Sequence, residues 1–282
     1  MNYELKNEYL TVTISDIGAE VIAVHDADGY NYMWSGTRWT GRAPLLFPVC
    51  SHTHEYKYTY QGKEYEMGQH GFARKSTFAV KEANDGYIKF ELRAGEDTKK
   101  SYPFEFTLTA EYTLTGRELK ADFTVINENR EVMPYMFGWH PAFALDAKAP
   151  IDTYAVDFGK ECTVTNYSNF AVEGKDYLIK DGRVEISDEL FKEHSVLAFL
   201  GSPKSAAVVG KETERRVDFS WGDNLTYACL WRLPYTDCNY ICIEPWTQLP
   251  GDISVPTDFA TKDMVRLAAG KSETYSYKVK FN

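Results

Sequence analysis

Phe104-Glu-Phe-Thr-Leu-Thr-Ala-Glu-Tyr-Thr-Leu114, then Thr115-Gly116, then Glu118-Leu-Lys-Ala-Asp-Phe-Thr-Val-Ile126 is the stretch that decides the fold. Apolar and polar residues alternate through both arms. That is the period of a strand with one buried face, and Thr-Gly supplies the turn between them. The pattern spreads outward from there. Residues 9–14 put Leu10, Val12 and Ile14 on one face, residues 19–24 continue the theme, and Asp28-Gly29 turns the chain into residues 30–34. Residues 56–60 and 63–67 flank Gln61-Gly62 as a hairpin, and residues 76–82 and 87–93 flank Asn84-Asp-Gly86. Further strands are expected at 155–158, 161–165, 196–200, 206–209, 217–219, 225–230 and 240–244, with a closing strand at 272–281.

Helix signals are sparse. Residues 188–192 and 258–262 read as short helices, whereas Pro141, Pro150 and the Lys99-Lys100 region read as loops. No strand feeds a Gly-rich phosphate loop, and no βαβ series, fixed-period repeat or low-complexity linker appears. Many strands of similar length with turns every ~8–12 residues predict an all-β fold, a large antiparallel sandwich forming one domain over residues 1–282.

Composition narrows the function. With 282 residues and 44% hydrophobic content, the chain can bury a large core. A net charge of -10 disfavours a broad phosphate-backbone surface, so no nucleic-acid partner is expected. The apolar runs are too short to span a bilayer, and Met1-Asn-Tyr-Glu-Leu-Lys6 enters a strand pattern without the apolar core of a signal peptide. Five cysteines (Cys50, Cys162, Cys229, Cys238 and Cys242) give an odd count without dense spacing, which argues against a disulfide scaffold and for the cytoplasm. Aromatic content of 15% supplies strand residues and also platforms for sugar rings.

Four polar segments interrupt the strands: Arg42-Ala-Pro-Leu-Leu-Phe-Pro48, His70-Gly-Phe-Ala-Arg74, Gly138-Trp-His-Pro-Ala142 and Cys242-Ile-Glu-Pro-Trp246. If the fold assembles them, two imidazoles, one or two guanidiniums and a carboxylate meet beside aromatic surface, a chemistry suited to a sugar. His140 precedes a proline, which biases it to extended backbone, and it can donate or accept a proton near neutrality. The competing reading is a buried histidine satisfied by a backbone carbonyl. Glu244 ends an apolar run beside Pro245-Trp246, where an unpaired charge is costly, so it is either a general base or half of a structural salt bridge. His70 could orient a hydroxyl or hold developing charge. Arg42 and Arg74 could grip hydroxyls or a carboxylate, although a solvated surface position is the stronger reading for each taken alone. His52-x-His54 lacks a third ligand at a recognisable spacing, Cys238-x-x-x-Cys242 is no redox motif, and no metal or cofactor is expected.

The four segments, in this order and at these separations, resemble the aldose 1-epimerase (galactose mutarotase) superfamily, and more closely its LacX-like branch, over essentially the whole chain. The resemblance implies a β-supersandwich with its site in a broad cleft, a small-molecule sugar substrate and no cofactor. It implies Glu244 as general base, His140 as general acid, and His70 and Arg42 as sugar-binding groups. Arg74 and Trp246 are further substrate-binding candidates. Asp188 lies near the region where classical galactose mutarotases carry a sugar-binding aspartate. The activity expected is interconversion of the α and β anomers of a free hexose. Two alternatives stay open: a hexose-6-phosphate epimerase using Arg42, Arg74 and Lys75, and a non-catalytic carbohydrate-binding or sensing protein. The sequence leaves monomer and homodimer equally open.

Overall fold

The alternation read from the sequence produces two large antiparallel sheets. In the computed structural model, which describes residues 1–168, 171–193, 196–200 and 204–282, the first sheet has nine strands. Their order is Arg183–Glu185, Tyr154–Asp157, Ser205–Gly210, Val217–Trp221, Ser272–Phe281, Glu118–Asn127, Phe106–Thr115, Tyr87–Arg93 and Ala79–Asn84. The stretch that decides the fold lies inside it: Phe106–Thr115 pairs with Glu118–Asn127 from Glu118↔Thr115 to Asn127↔Phe106. The second sheet has eight strands. Its path runs Ala171–Ile179, Cys162–Ser168, Val196–Leu200, Tyr227–Trp231, Tyr240–Trp246, Gly138–Trp139 and Leu45–Leu46, with Ala142–Ala144 also pairing Tyr240–Trp246. Smaller sheets, including the hairpin of Lys57–Tyr60 with Lys63–Glu66, cover the edges. The result is the sandwich the pattern predicts.

Aromatic rings fill the space between the sheets. Phe123 meets Phe137 and Trp139 at centroid distances of 5.6 and 5.8 Å, and Phe137 stacks on Tyr275 at 4.4 Å. Buried rings of this kind contribute both area and orientation, because edge and offset contacts are preferred. Some of their polar tips find partners: Tyr135 and Tyr275 hydroxyls bond each other at 2.8 Å, and Trp139 Nε1 donates to Ala43 O at 2.9 Å.

Three local expectations need correction. Residues 258–262 form a single turn closed by Lys262 N–H donating to Asp258 O, because Arg266 donates to the Phe259, Ala260 and Lys262 carbonyls and leaves no run of helical bonds. Lys99 and Lys100 lie on a short helix, Glu96–Ser101, with acids in its first turn and these lysines in its last, the arrangement its dipole favours. Residues 30–34 make only isolated bridges at Asn31 and Met33. Among the described residues no helix is long and apolar enough to cross a membrane.

Gly138 is where the sheet comes closest to its own side chains. A Cβ there would lie 2.5 Å from Trp246 Cδ1 and 3.2 Å from Cys50 Sγ. Gly138→Ala is therefore expected to lower stability by about 1–3 kcal/mol through overpacking. Gly68→Ala, where an added Cβ meets nothing within 4 Å, should stay within about 0.5 kcal/mol. Urea titration of the two variants checks both expectations.

Candidate functional site

Strand Tyr240–Trp246 is buried at every position, and its alternation sorts two environments. Ile241 and Ile243 point into the main core, while Tyr240 and Cys242 pack with Trp34, Ala142 and Cys238 in a second cluster flanked by Trp39, Trp231 and Leu233. Glu244 follows the phase of Tyr240 and Cys242, so the pleat turns its carboxyl to the second side. There it meets His140, delivered by the neighbouring strand Gly138–Trp139, which pairs with both Trp246 and Leu46. The His140 backbone N–H donates to Pro44 O at 3.1 Å. His140 Nε2 and Glu244 Oε1 are 3.1 Å apart, and both side chains are buried.

Burial governs the titration of this pair. It pushes His140 down to about 3 and Glu244 well above the usual carboxylate range, with a smaller opposing pull on Glu244 from the Trp246 indole. Both shifts favour the neutral form of each group, so the pair leans towards a neutral imidazole beside a protonated carboxyl. Cys50, Cys229 and Cys242 surround the carboxyl as thiols kept protonated by burial and by Glu244 itself. His140, Cys242 and Glu244 are also the group among the described residues with donor atoms close enough for a metal ion, all within 4.8 Å. To act as a ligand, Cys242 would have to release the proton that burial holds in place.

His70 lies beside this pair. Its ring lies 5.6 Å from that of His140, nearly perpendicular. Its backbone is left-handed (φ 60°), as is that of Ser51 (φ 61°), and the two residues clasp each other. His70 N–H donates to Ser51 O at 2.6 Å, and Ser51 N–H donates to His70 Nδ1 at 3.0 Å. Because Nδ1 accepts, the neutral ring carries its hydrogen on Nε2. Burial, helped by repulsion from His140, Arg74 and His52, holds His70 well below the usual histidine range. His70 is thus a fixed neutral donor. Gly71 makes this loop possible: its φ is 72°, and a Cβ would lie 2.1 Å from Phe47 O.

These residues line a cleft of about 410 Å³ with Arg38, Trp39, Gln69, Arg74, Val196, Trp231, Leu233 and Trp246. The structure thus brings together Glu244, His140, His70, Arg74 and Trp246. It places two expected residues elsewhere. The Arg42 guanidinium donates to the Trp39 and Gly41 carbonyls, while its backbone N–H donates to Glu20 and its carbonyl accepts from Ala142 N–H, so Arg42 braces the His140 segment from outside the lining. Asp188 pairs with buried Arg232. Arg232 also donates to Cys238 O at 2.9 Å, tying down the segment after Trp231. Sequence reasoning missed Arg38, Trp39 and Trp231. The flanking Gly36 and Gly41, which let the chain lie against the Trp34 and Trp39 rings, were the available signal. A separate hollow of about 370 Å³ over the outer face of the nine-stranded sheet carries already paired charges such as Arg216–Asp218 at 2.6 Å.

Asp188→Ala would leave a buried guanidinium unpaired. Such losses cost about 3–5 kcal/mol, and the variant should lose that stability in thermal unfolding followed by circular dichroism.

Comparison with known proteins adds the following. The family model described as aldose 1-epimerase matches residues 1–279. Two relatives from Lactococcus lactis subsp. lactis, the plasmid and chromosomal forms of Protein LacX, are each 28% identical over 268 residues, covering 88% of this chain and 88% of theirs. Among solved structures, a galactose mutarotase related enzyme from Lactobacillus acidophilus superposes with a TM-score of 0.91 at 29% identity, covering 100% of this chain and 97% of that one. A galactose mutarotase-like protein from Lactobacillus casei ATCC 334 gives 0.92 at 26%, with complete coverage of both chains.

Proposed function

We propose that this chain, which belongs to the aldose 1-epimerase family, interconverts the α and β anomers of a free hexose in the cleft around His140 and Glu244. Membership carries epimerase chemistry on sugars and places the chain with enzymes. We assign it to the LacX-like branch on the strength of the two LacX matches. Its five buried free thiols accord with a reducing compartment, and the cytoplasm is part of the same proposal.

One observation carries the reading: a buried imidazole and a buried carboxyl in contact at 3.1 Å. The reaction needs a base for the C1 hydroxyl and an acid for the ring oxygen, two oxygens on the same carbon. In the productive tautomer Glu244 is the carboxylate and His140 the imidazolium. Glu244 takes the hydroxyl proton, His140 protonates O5, and the C1–O5 bond breaks to give the open-chain aldehyde. Rotation about C1–C2 presents the other carbonyl face, and reclosure reverses both transfers. No net proton is gained or lost, so the pair returns to its starting state. His70 Nε2–H donates to a sugar oxygen throughout, and Trp39, Trp231 and Trp246 supply apolar wall. Poised proton donors and acceptors contribute about 10²–10⁴-fold each.

Arg74 favours a second reading. It is half-buried at the cleft, burial lowers its pKa, and it makes no hydrogen bond or ion pair among the described residues. A free guanidinium beside exposed Lys75 would suit the phosphoryl group of a hexose 6-phosphate.

Two outcomes are expected. Folded His140→Asn and Glu244→Gln variants should each lose about 10²–10⁴-fold of kcat in polarimetric mutarotation of α-glucose and α-galactose; retention of full activity in either removes its assigned role. The kcat/KM profile should be bell-shaped, with both limbs set by this pair. It falls in acid, when the pair gains a second proton and loses its base, and this limb lies below the ordinary histidine value because burial depresses His140. It falls in alkali, when the pair's proton leaves and no acid remains, and this limb lies above the ordinary carboxylate range because burial raises Glu244. An acid limb at or above the unperturbed imidazole value of about 6.5 would contradict the depressed His140.

A further inference from the structure

Strand Tyr240–Trp246 carries a second chemistry beside the acid–base pair. Gly138 pairs with Trp246 and Ala142 with Cys242, so His140 falls opposite Glu244, and Cys242 is the preceding residue on the same face of the strand. An imidazole nitrogen, a thiol sulfur and a carboxyl oxygen thereby lie within 4.8 Å of one another, all on buried residues. His140 and Glu244 also line the cleft, which leaves one side of the group open to it. We propose that these three side chains form a binding site for a thiophilic divalent cation of the zinc type, with its fourth position turned to the cleft, and that occupation of the site switches the acid–base pair off. The cation is an inhibitor here and takes no part in the reaction. Inhibition rests on the mutarotase reading above, whereas binding stands without it.

The donor set selects the ion. One nitrogen, one sulfur and one oxygen donor with an open fourth position is the tetrahedral pattern of a zinc site with an exchangeable ligand. Magnesium and calcium take six or more oxygen ligands, and this group offers a single carboxyl. Charge makes the same choice. As the cation enters, the Cys242 thiol and the carboxyl each give up a proton to water, and bonds form to Sγ, to a carboxylate oxygen and to the imidazole. A doubly charged ion then leaves the filled site with no net charge, as a dry pocket requires; a singly charged one would leave a negative charge buried. No electron is transferred. His140 Nε2 and Glu244 Oε1 are already 3.1 Å apart, close to the separation of about 3.3 Å that two ligands of one zinc ion adopt. Cys242 supplies the remaining movement by turning its sulfur inwards. The Trp39 and Trp231 rings pack on the imidazole at centroid distances of 5.1 and 5.5 Å and hold its orientation. Cys229 lies opposite Glu244 on the other neighbouring strand, outside the close group. With the ion bound, Nε2 and a carboxylate oxygen are both occupied, so neither residue can move a proton.

The test uses the intact, reduced chain. Calorimetry with Zn²⁺ should find one site per chain, with about two protons released per ion when buffers of different ionisation enthalpy are compared. Co²⁺ in place of zinc should give thiolate-to-metal absorption in the near ultraviolet. Mutarotation of α-glucose should fall in proportion to occupancy and return when a chelator is added. Loss of an outer-shell partner alone costs about 10–100-fold in metal affinity, so removing the sulfur ligand in Cys242→Ser should weaken zinc by about 100-fold or more and abolish the cobalt band. Cys242→Ala serves if the serine variant fails to fold, and Cys229→Ser should bind zinc as the unchanged chain does. Binding without a thiolate band, as two histidines such as His52 and His54 would give, overturns the site, and so does zinc affinity that survives in folded Cys242→Ser or is lost in folded Cys229→Ser instead. Thiolate-linked binding to a chain that accelerates the mutarotation of no sugar upholds the site and removes the mutarotase reading. An active chain whose mutarotation zinc leaves untouched upholds that reading and overturns the inhibitory site.

Discussion

The contact between His140 and Glu244 is the constraint around which this molecule is arranged. Two ionisable side chains in a nearly dry site are expensive to keep charged, and each alone would shift to its neutral form. In contact at 3.1 Å, they can exchange a proton along one hydrogen bond, which converts a neutral pair into an ion pair. Low polarity around them strengthens the electrostatic effect of any polar group that reaches the pair. The surrounding thiols, indoles and phenol ring supply that low polarity without adding a competing charge.

Holding such a pair in register requires a rigid frame, and the two large sheets provide it. Tyr240–Trp246 sits inside the second sheet, between Tyr227–Trp231 on one side and the strands bearing Gly138 and Ala142 on the other. The nine-stranded sheet backs it directly through Tyr277, whose hydroxyl donates to Pro245 O at 3.3 Å. Rings packed between the layers leave little room for either sheet to slide, because interiors at this density yield only by discrete rearrangement. Gly138 is the place where this tightness costs a side chain.

The cleft walls are built differently. His70, Arg74, Arg38 and Trp39 come from loops of the first half of the chain, and these hold their shape by reciprocal bonds and by left-handed residues. The clasp between Ser51 and His70 leaves two non-glycine residues at positive φ, a conformation that persists only when its surroundings over-determine it. Here the return is chemical: the backbone fixes which nitrogen of His70 carries hydrogen, so a loop decides the polarity of a side chain that lines the cleft. Asp188 and Arg232 perform the corresponding bracing on the opposite wall.

The sequence by itself determined the strands and the identities of the central pair. Period-two patterning in residues 104–126 and 272–281 survives translation into structure because each of those strands turns its apolar face to a single core, even where Thr107 and Thr109 are buried on the other face. The motifs around His140 and Glu244 were legible because a proline-flanked histidine and a carboxylate ending an apolar strand are locally unusual. The two-residue strands Leu45–Leu46 and Gly138–Trp139 were not legible, since no period can be read from two residues. Nor was the choice among arginines. Arg38, Arg42 and Arg74 look alike in a chain of letters, and only the tertiary structure turned Arg42 onto backbone carbonyls and left Arg74 facing the cleft. That choice rests on which carbonyls and carboxylates lie within a guanidinium's reach, which depends on strands distant in sequence. The shifted protonation of His140 and Glu244 has the same origin. It follows from burial and proximity, properties that neither residue possesses until the two sheets close around them.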